Sequence, residues 1–163
     1  MSSQAKKKNP AANDLKQEEK LIAVMLLDTY KENFQPFSLK KAECLLPLIG
    51  GKTRLDNNIN YLIQNGMEEI YLFSTYHTSQ IRAHLTEERL GEWRAKGCEV
   101  HFLFNFKCQS VGEAMRVIDA KGLVRSNFIL VTASTLISNI KLSDYLDTHK
   151  TVSKLGKFYS NQV

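Results

Sequence analysis

Three features of the sequence point to an α/β fold with a mostly parallel sheet. Four short runs, Leu21–Leu27, Glu69–Phe73, Cys98–Phe104 and Asn127–Thr132, have the length and the aliphatic or aromatic character of strands. Stretches with apolar residues at helical spacing follow them, so the order strand–helix recurs four times. Such an order suits a parallel sheet covered on both faces, because a crossover must carry the chain back before each new parallel strand begins. The first run is apolar throughout rather than alternating, as in a strand buried on both sides.

The 163 residues suit one domain with a sizeable core, and 43% hydrophobic with 24% charged residues is the composition of a soluble globular protein. The net charge of +5 is modest, and Lys6, Lys7 and Lys8 supply part of it from a segment rich in Ser, Gln, Asn, Pro and Ala. Residues 1–20 are therefore expected to form a disordered basic tail. No aromatic residue interleaves with its lysines, which argues against direct nucleic-acid binding. The longest apolar run, Leu21–Leu27, falls far short of the roughly 20 residues of a membrane span. No apolar segment marks a secretory signal, so no membrane association is expected and the cytosol is the expected location. Cys44, Cys98 and Cys108 are odd in number and lack a CxxC pair, which reads as buried free thiols rather than disulfides or a zinc site.

Taken in order, charged residues 14–20 leave room for a turn or two of helix before the first strand. That strand, Leu21–Leu27, runs into a polar loop, Asp28–Asn33, at the end where open α/β sheets bind ligands. A phosphate-binding loop needs glycines so that backbone N–H groups can approach closely, and this loop has none. Pro36 and Pro47 bracket a stretch that no single helix can cross. Gly50-Gly51-Lys52-Thr53 has the wrong spacing for a phosphate loop, since position 46 is leucine rather than glycine, and reads as a turn into a helix. Leu55, Ile59, Leu62 and Ile63 form that helix's apolar face, and Asn65-Gly66 ends it.

Glu69–Phe73 is the second strand, with Ile70 and Leu72 on one face. Helical material then extends from Thr78 to about Lys96 with an expected break near Leu90-Gly91, and Trp93 within it is expected to pack. His101, in the third strand, has no His, Asp or Cys at metal spacing and reads as a half-exposed or hydrogen-bonded strand histidine rather than a ligand. Val111, Ala114, Met115 and Ile118 define a helix with Ser110 as N-cap and Glu113 completing a capping box. After the fourth strand, Leu142–His149 is expected as a short last helix with Ser143 near its cap. The pairs Glu68-Glu69 and Glu87-Glu88 read as solvated ends, and no G-x-S-x-G elbow announces a serine nucleophile.

Several phrases carry a resemblance. They are Leu45-Leu46-Pro47-Leu48, Leu55-Asp56 with Tyr61-Leu62 and Asn65-Gly66, Glu69-Ile70-Tyr71-Leu72-Phe73, and Ser79-Gln80-Ile81 with His84-Leu85. The most specific is Asp119-Ala120-Lys121-Gly122-Leu123-Val124-Arg125-Ser126-Asn127-Phe128, continuing through Leu130-Val131 to Ile137-Ser138-Asn139-Ile140. In this order the chain resembles the nucleotidyltransferase-like domain of the sugar-nucleotide pyrophosphorylase superfamily, and within it the epsilon-subunit family of eukaryotic translation initiation factor 2B. The resemblance implies a three-layer, mostly parallel, Rossmann-like sheet of the nucleotidyltransferase type over residues 21–150, truncated before the domain is complete. It also implies a divergent tail over residues 151–163.

Three departures from the active members matter. Their G-x-G-T-R signature after the first strand is replaced by Tyr30, Lys31, Glu32 and Asn33. Their Pro-Lys pair, whose lysine attracts the transferring phosphate, falls on Ala42-Glu43, and a glutamate there would repel it. Their metal-binding Gly-Asp after the fourth strand falls on Ala133-Ser134, and no aspartate follows until Asp144. Nucleotidyl transfer depends on positioned cations and a metal, so losing all three implies an inactive domain without catalytic residues, cofactor or metal. The implied role is a non-catalytic scaffold in the guanine-nucleotide exchange factor for initiation factor 2. Its expected partners are the other subunits of the initiation factor 2B complex and initiation factor 2 itself. The resemblance also implies that the family's exchange activity lies in a carboxy-terminal helical domain, expected to lie outside this chain. Two alternatives stand beside it: an active sugar nucleotidyltransferase with a rearranged site, for which Asp28 is the one carboxylate at a suitable strand end, and an α/β module that binds a nucleotide in the same cleft without turnover.

Overall fold

The strand β1 (Ile22–Leu26) lies inside the sheet, with all five of its residues buried. A computed structural model describes residues 20–28, 36–48, 50–132, 135 and 140–160, with side chains to residue 153. The sheet also contains β2 (Glu69–Ser74), β3 (Glu99–Phe104) and β4 (Phe128–Thr132), in the order β3-β2-β1-β4. Every pairing is parallel, with Ile22 opposite Glu69 on one side and Phe128 on the other. The parallel α/β architecture expected from the sequence is thus present, each strand within a residue or two of its expected bounds.

Helices α1 (Phe37–Lys40), α2 (Arg54–Gln64), α3 (Thr78–His84), α4 (Glu87–Ala95), α5 (Val111–Ala120) and α6 (Leu142–Ser160) complete the fold, with a 3-10 turn at Glu43–Leu45. The two-residue period of the strands sorts the core into two layers. Ala23, Met25, Leu27, Ile70 and Leu72 face Leu55, Ile59 and Leu62 of α2, Ile81 of α3 and Trp93 of α4, with Leu142 and Leu146 of α6 at the margin. Ile22, Val24, Leu26, Tyr71 and Phe73 face the opposite way, onto Ala114 and Ile118 of α5. Burial of each large side chain contributes about 1.5–3 kcal/mol, so the layer on α2 to α4 holds most of the core energy. Among the described residues the second layer rests on one helix, α5, with Cys108, Leu123 and Val124 beside it, and Phe128 and Leu130 of β4 stay exposed on that face.

Local signals explain the helix ends. Thr53 caps α2 with Asp56 in a reciprocal capping box, and Gly66 leaves the helix at φ +82°, where only glycine is unstrained. Ser110 caps α5 by accepting from the Glu113 amide, but the Glu113 carboxylate accepts from Gln109 N at 2.7 Å rather than completing the expected box on Ser110. The break expected near Leu90-Gly91 instead falls at Leu85-Thr86, where Thr86 caps α4. Gly91 sits inside α4, its cost of about 1 kcal/mol offset by that cap and by the burial of Trp93. The last helix, expected to stop at His149, runs on to Ser160, and residues 151–160 continue it. No proline interrupts it, and the hydroxyls of Thr148 and Thr151 bond carbonyls one turn back.

Cys44, Cys98 and Cys108 are free and buried, as expected. His101 stacks on Tyr71 with ring centroids 5.0 Å apart. Among the described residues no helix is long and apolar enough to cross a membrane. Of the expected basic tail, residues 1–19 lie outside the described residues.

Candidate functional site

The chain steps from β1 outward to β2 and β3, then crosses back to place β4 on the other side of β1. The crevice between the carboxyl ends of β1 and β4 is therefore the switch point at which such sheets receive ligands. Asp28, two residues beyond β1, turns to the β2 side, away from β4. Its carboxylate accepts hydrogen bonds from the backbone amides of Thr75 and Tyr76, and the Ser74 hydroxyl lies 3.5 Å away. Burial pushes this carboxyl above the usual range, and those donors pull it only part of the way back. Asp28 thus ties β1 to the turn after β2, and its lone pairs are engaged in doing so.

On the β4 side, the Thr132 and Thr135 hydroxyls lie 2.9 Å apart. One face of α2 holds the connection that follows: Asn58 Nδ2 donates to the Thr135 carbonyl at 2.8 Å, the Tyr61 hydroxyl donates to the Ile140 carbonyl, and Leu142 N donates to Asn65 Oδ1 at 3.0 Å. Asn58 and Tyr61 on the buried face of α2, with the C-cap Asn65, recur at helical spacing, a polar pattern that the apolar periodicity hid.

Glu43, singled out in the sequence, is 5% exposed in the 3-10 turn. Its Oε1 accepts from Arg54 Nη1 at 2.6 Å, while Oε2 is buried without a hydrogen-bond partner among the described residues. The glutamate charge is therefore committed to the first turn of α2 rather than presented free to the crevice. The neighbouring Cys44 thiol is pushed up to about 12, chiefly by burial and next by the Asp28 charge, so it is no nucleophile.

Below the crevice, Asp56 joins three helices. Its Oδ1 meets His84 Nε2 at 2.9 Å and Arg89 Nη1 at 2.7 Å, and its Oδ2 accepts from the Thr53 hydroxyl at 2.8 Å. Burial alone would raise its pKa, but the His84 and Thr53 hydrogen bonds outweigh burial and hold it below the usual carboxylate range. One imidazole nitrogen, Nε2, lies nearest both Asp56 and the Thr53 hydroxyl, so the cluster is a helix junction and not a relay.

Of the positions singled out in the sequence, Glu43 and Asp28 are placed by the structure, and they lie in separate hydrogen-bonded arrangements. Tyr30, Lys31, Glu32, Asn33 and Ser134 lie outside the described residues. Among the described residues no three His, Cys, Asp or Glu side chains converge as metal ligands.

No protein-family model matches the chain. Translation initiation factor eIF2B subunit epsilon of Schizosaccharomyces pombe is 33% identical over 132 residues, which is 80% of this chain and 19% of that protein. The protein of the same name from Dictyostelium discoideum is 31% identical over 145 residues, 89% of this chain and 20% of that one. The chain thus spans about a fifth of the length of these relatives. Among solved structures it resembles UDP-glucose pyrophosphorylase complexed with UDP-glucose, with a TM-score of 0.62 over 82% of this chain and 54% of that one. The apo form gives 0.59 over 82% and 56%, and at 14% identity both likenesses concern the fold. Over most of its length the chain is therefore similar to translation initiation factor eIF2B subunit epsilon, and its parallel sheet has the fold of UDP-glucose pyrophosphorylase.

Proposed function

We propose that this chain is a non-catalytic scaffold domain of the guanine-nucleotide exchange factor that acts on initiation factor 2 in the cytosol. Its contribution is to bind the other subunits of the initiation factor 2B complex. The observation that carries this reading is the state of Glu43. The position that needs a free cation for nucleotidyl transfer holds a buried carboxylate locked to Arg54. A cation that neutralises a carboxylate 2.6 Å away has little attraction left for a phosphate.

The test pairs binding with turnover. The purified chain is mixed with the remaining subunits and with initiation factor 2 carrying labelled GDP, and co-elution, GDP release and pyrophosphorolysis of UDP-glucose are measured. Co-elution with sister subunits, without acceleration of GDP release or UDP-glucose cleavage by the chain alone, is the expected result. Turnover of a nucleotide sugar would establish the alternative of a rearranged nucleotidyltransferase. Saturable nucleotide binding without turnover or assembly would establish a regulatory nucleotide-binding module.

A further inference from the structure

The helix α1 is an unusual element: four residues long, with none of them buried. Hydrogen bonds from the neighbouring α3 region hold it in place. His77 Nε2 lies 2.6 Å from the Ser38 carbonyl, Gln80 Nε2 donates to the Lys40 carbonyl at 3.0 Å, and Gln80 Oε1 accepts from Ala42 N at 3.2 Å. So anchored, α1 turns Phe37 and Leu39 outward, 71% and 65% exposed. Across α3, Arg82 lies 4.7 Å from the Phe104 ring centroid, and Phe104 meets Phe106 at 5.3 Å. Phe106 is itself 66% exposed. The Asn105 amide donates to the Ser74 carbonyl, which joins the ends of β2 and β3 beneath this face.

A scattered exposed phenylalanine is ordinary, but several on segments that adjoin the same helix, α3, with α1 held there by polar bonds rather than by packing, are what an interaction surface presents. Its charge is mainly positive: the carboxylates bonded to it are Glu113, at Gln109 N, and Asp28, which burial and the Thr75 and Tyr76 amides hold inward. Segments 36–41, 75–82 and 104–110 contain Lys40, Lys41, Arg82 and Lys107 and no aspartate or glutamate.

We propose that this face docks an acidic segment of another protein, whose apolar side chains seat against Phe37, Leu39 and Phe106 while its carboxylates meet Arg82, Lys107 and the α1 lysines. Interfaces are anchored by aromatic and arginine side chains, and complementary charge orients the partner. Two other occupants fit less well. A second copy of this chain would bring like charges together across a two-fold axis. A single-stranded nucleic acid needs open ring faces, and here the guanidinium of Arg82 lies over Phe104 while Phe106 tilts at 55° against it. The inference stands on this face alone and does not depend on the assembly proposed above.

The test titrates the full chain, by amide chemical shifts and fluorescence anisotropy, with a labelled glutamate-rich peptide bearing Phe and Leu at helical spacing. Its lysine counterpart and an oligouridylate serve as competing probes. The expected result is saturable binding of the acidic peptide that shifts amides in segments 36–41 and 104–107 and weakens with salt. Binding should fall about tenfold in Phe106→Ser and in Lys107→Glu, both at exposed positions that leave folding intact by circular dichroism. Absence of saturable binding, equal binding of the lysine peptide, or unchanged affinity in both variants would overturn the proposal. Preferential oligouridylate binding, or self-association abolished by Phe106→Ser, would overturn it in favour of those occupants.

Discussion

Replacing Arg54 by methionine removes the cation from a pair whose side chains are 16% and 4% exposed, at an N–O distance of 2.6 Å. The methionine fills a similar volume, so the loss is electrostatic: the Glu43 carboxylate stays buried, with Oε2 already lacking a hydrogen-bond partner among the described residues. Breaking a buried pair from one side costs about 3–5 kcal/mol, against a total stability of about 5–15 kcal/mol for a domain. Removing both charges, in Glu43→Met with Arg54→Met, is expected to lie between neutral and about 4 kcal/mol stabilising, because no buried charge is left behind. Glu43→Lys sets two cations against each other and should unfold the chain more readily than Arg54→Met. Urea unfolding followed through Trp93, the one tryptophan and 3% exposed, reads all of these as a double-mutant cycle. A cost below about 1 kcal/mol for Arg54→Met, or a double variant as unstable as the sum of its singles, would refute the reasoning.

Asp56 and Asp28 give opposite pH signatures. The folded pKa of Asp56 is depressed, so its contribution is present above the unfolded value of about 3.9 and is lost as pH falls through the folded value; Asp56→Asn should abolish that acid-side loss in urea midpoints measured against pH. The folded pKa of Asp28 is raised, so its contribution is full below about 3.9 and is lost as pH rises through the folded value. Asp28→Asn keeps an acceptor for the Thr75 and Tyr76 amides and should remove that decline. Phe73→Ala, at a fully buried position on the α5 face, should cost about 3–5 kcal/mol in the same denaturation assay. The Cys44 and Cys98 thiols, raised to about 12 and about 11 chiefly by burial, should resist iodoacetamide at neutral pH in the folded chain and react on unfolding, as mass spectrometry would show.

Periodicity and punctuation settled the elements. Four strands, the capped helices α2 and α5 and the Asn65-Gly66 stop are local properties, written in residues a few positions apart. The break at Leu85-Thr86 was misplaced because a glycine inside α4 competes with a threonine cap, and the burial of Trp93 outweighs the glycine penalty. The continuation of α6 past His149 was missed although Val152, Leu155 and Tyr159 recur there at helical spacing, because Gly156 and the hydroxyl residues Thr148, Thr151 and Ser153 dilute the signal. The absence of glycine from residues 28–33, and of aspartate from residues 133–143, was likewise legible in residue identities.

The tertiary structure alone decided which charges meet. Glu43 and Arg54 are eleven residues apart, Asp28 and Thr75 forty-seven, Asp56 and Arg89 thirty-three. No periodic pattern encodes such pairs, since they form only when packing of the apolar layers brings separate elements into contact. The order β3-β2-β1-β4, and with it the place of the crevice, was set in the same way, by which faces of the crossovers could be buried against the sheet.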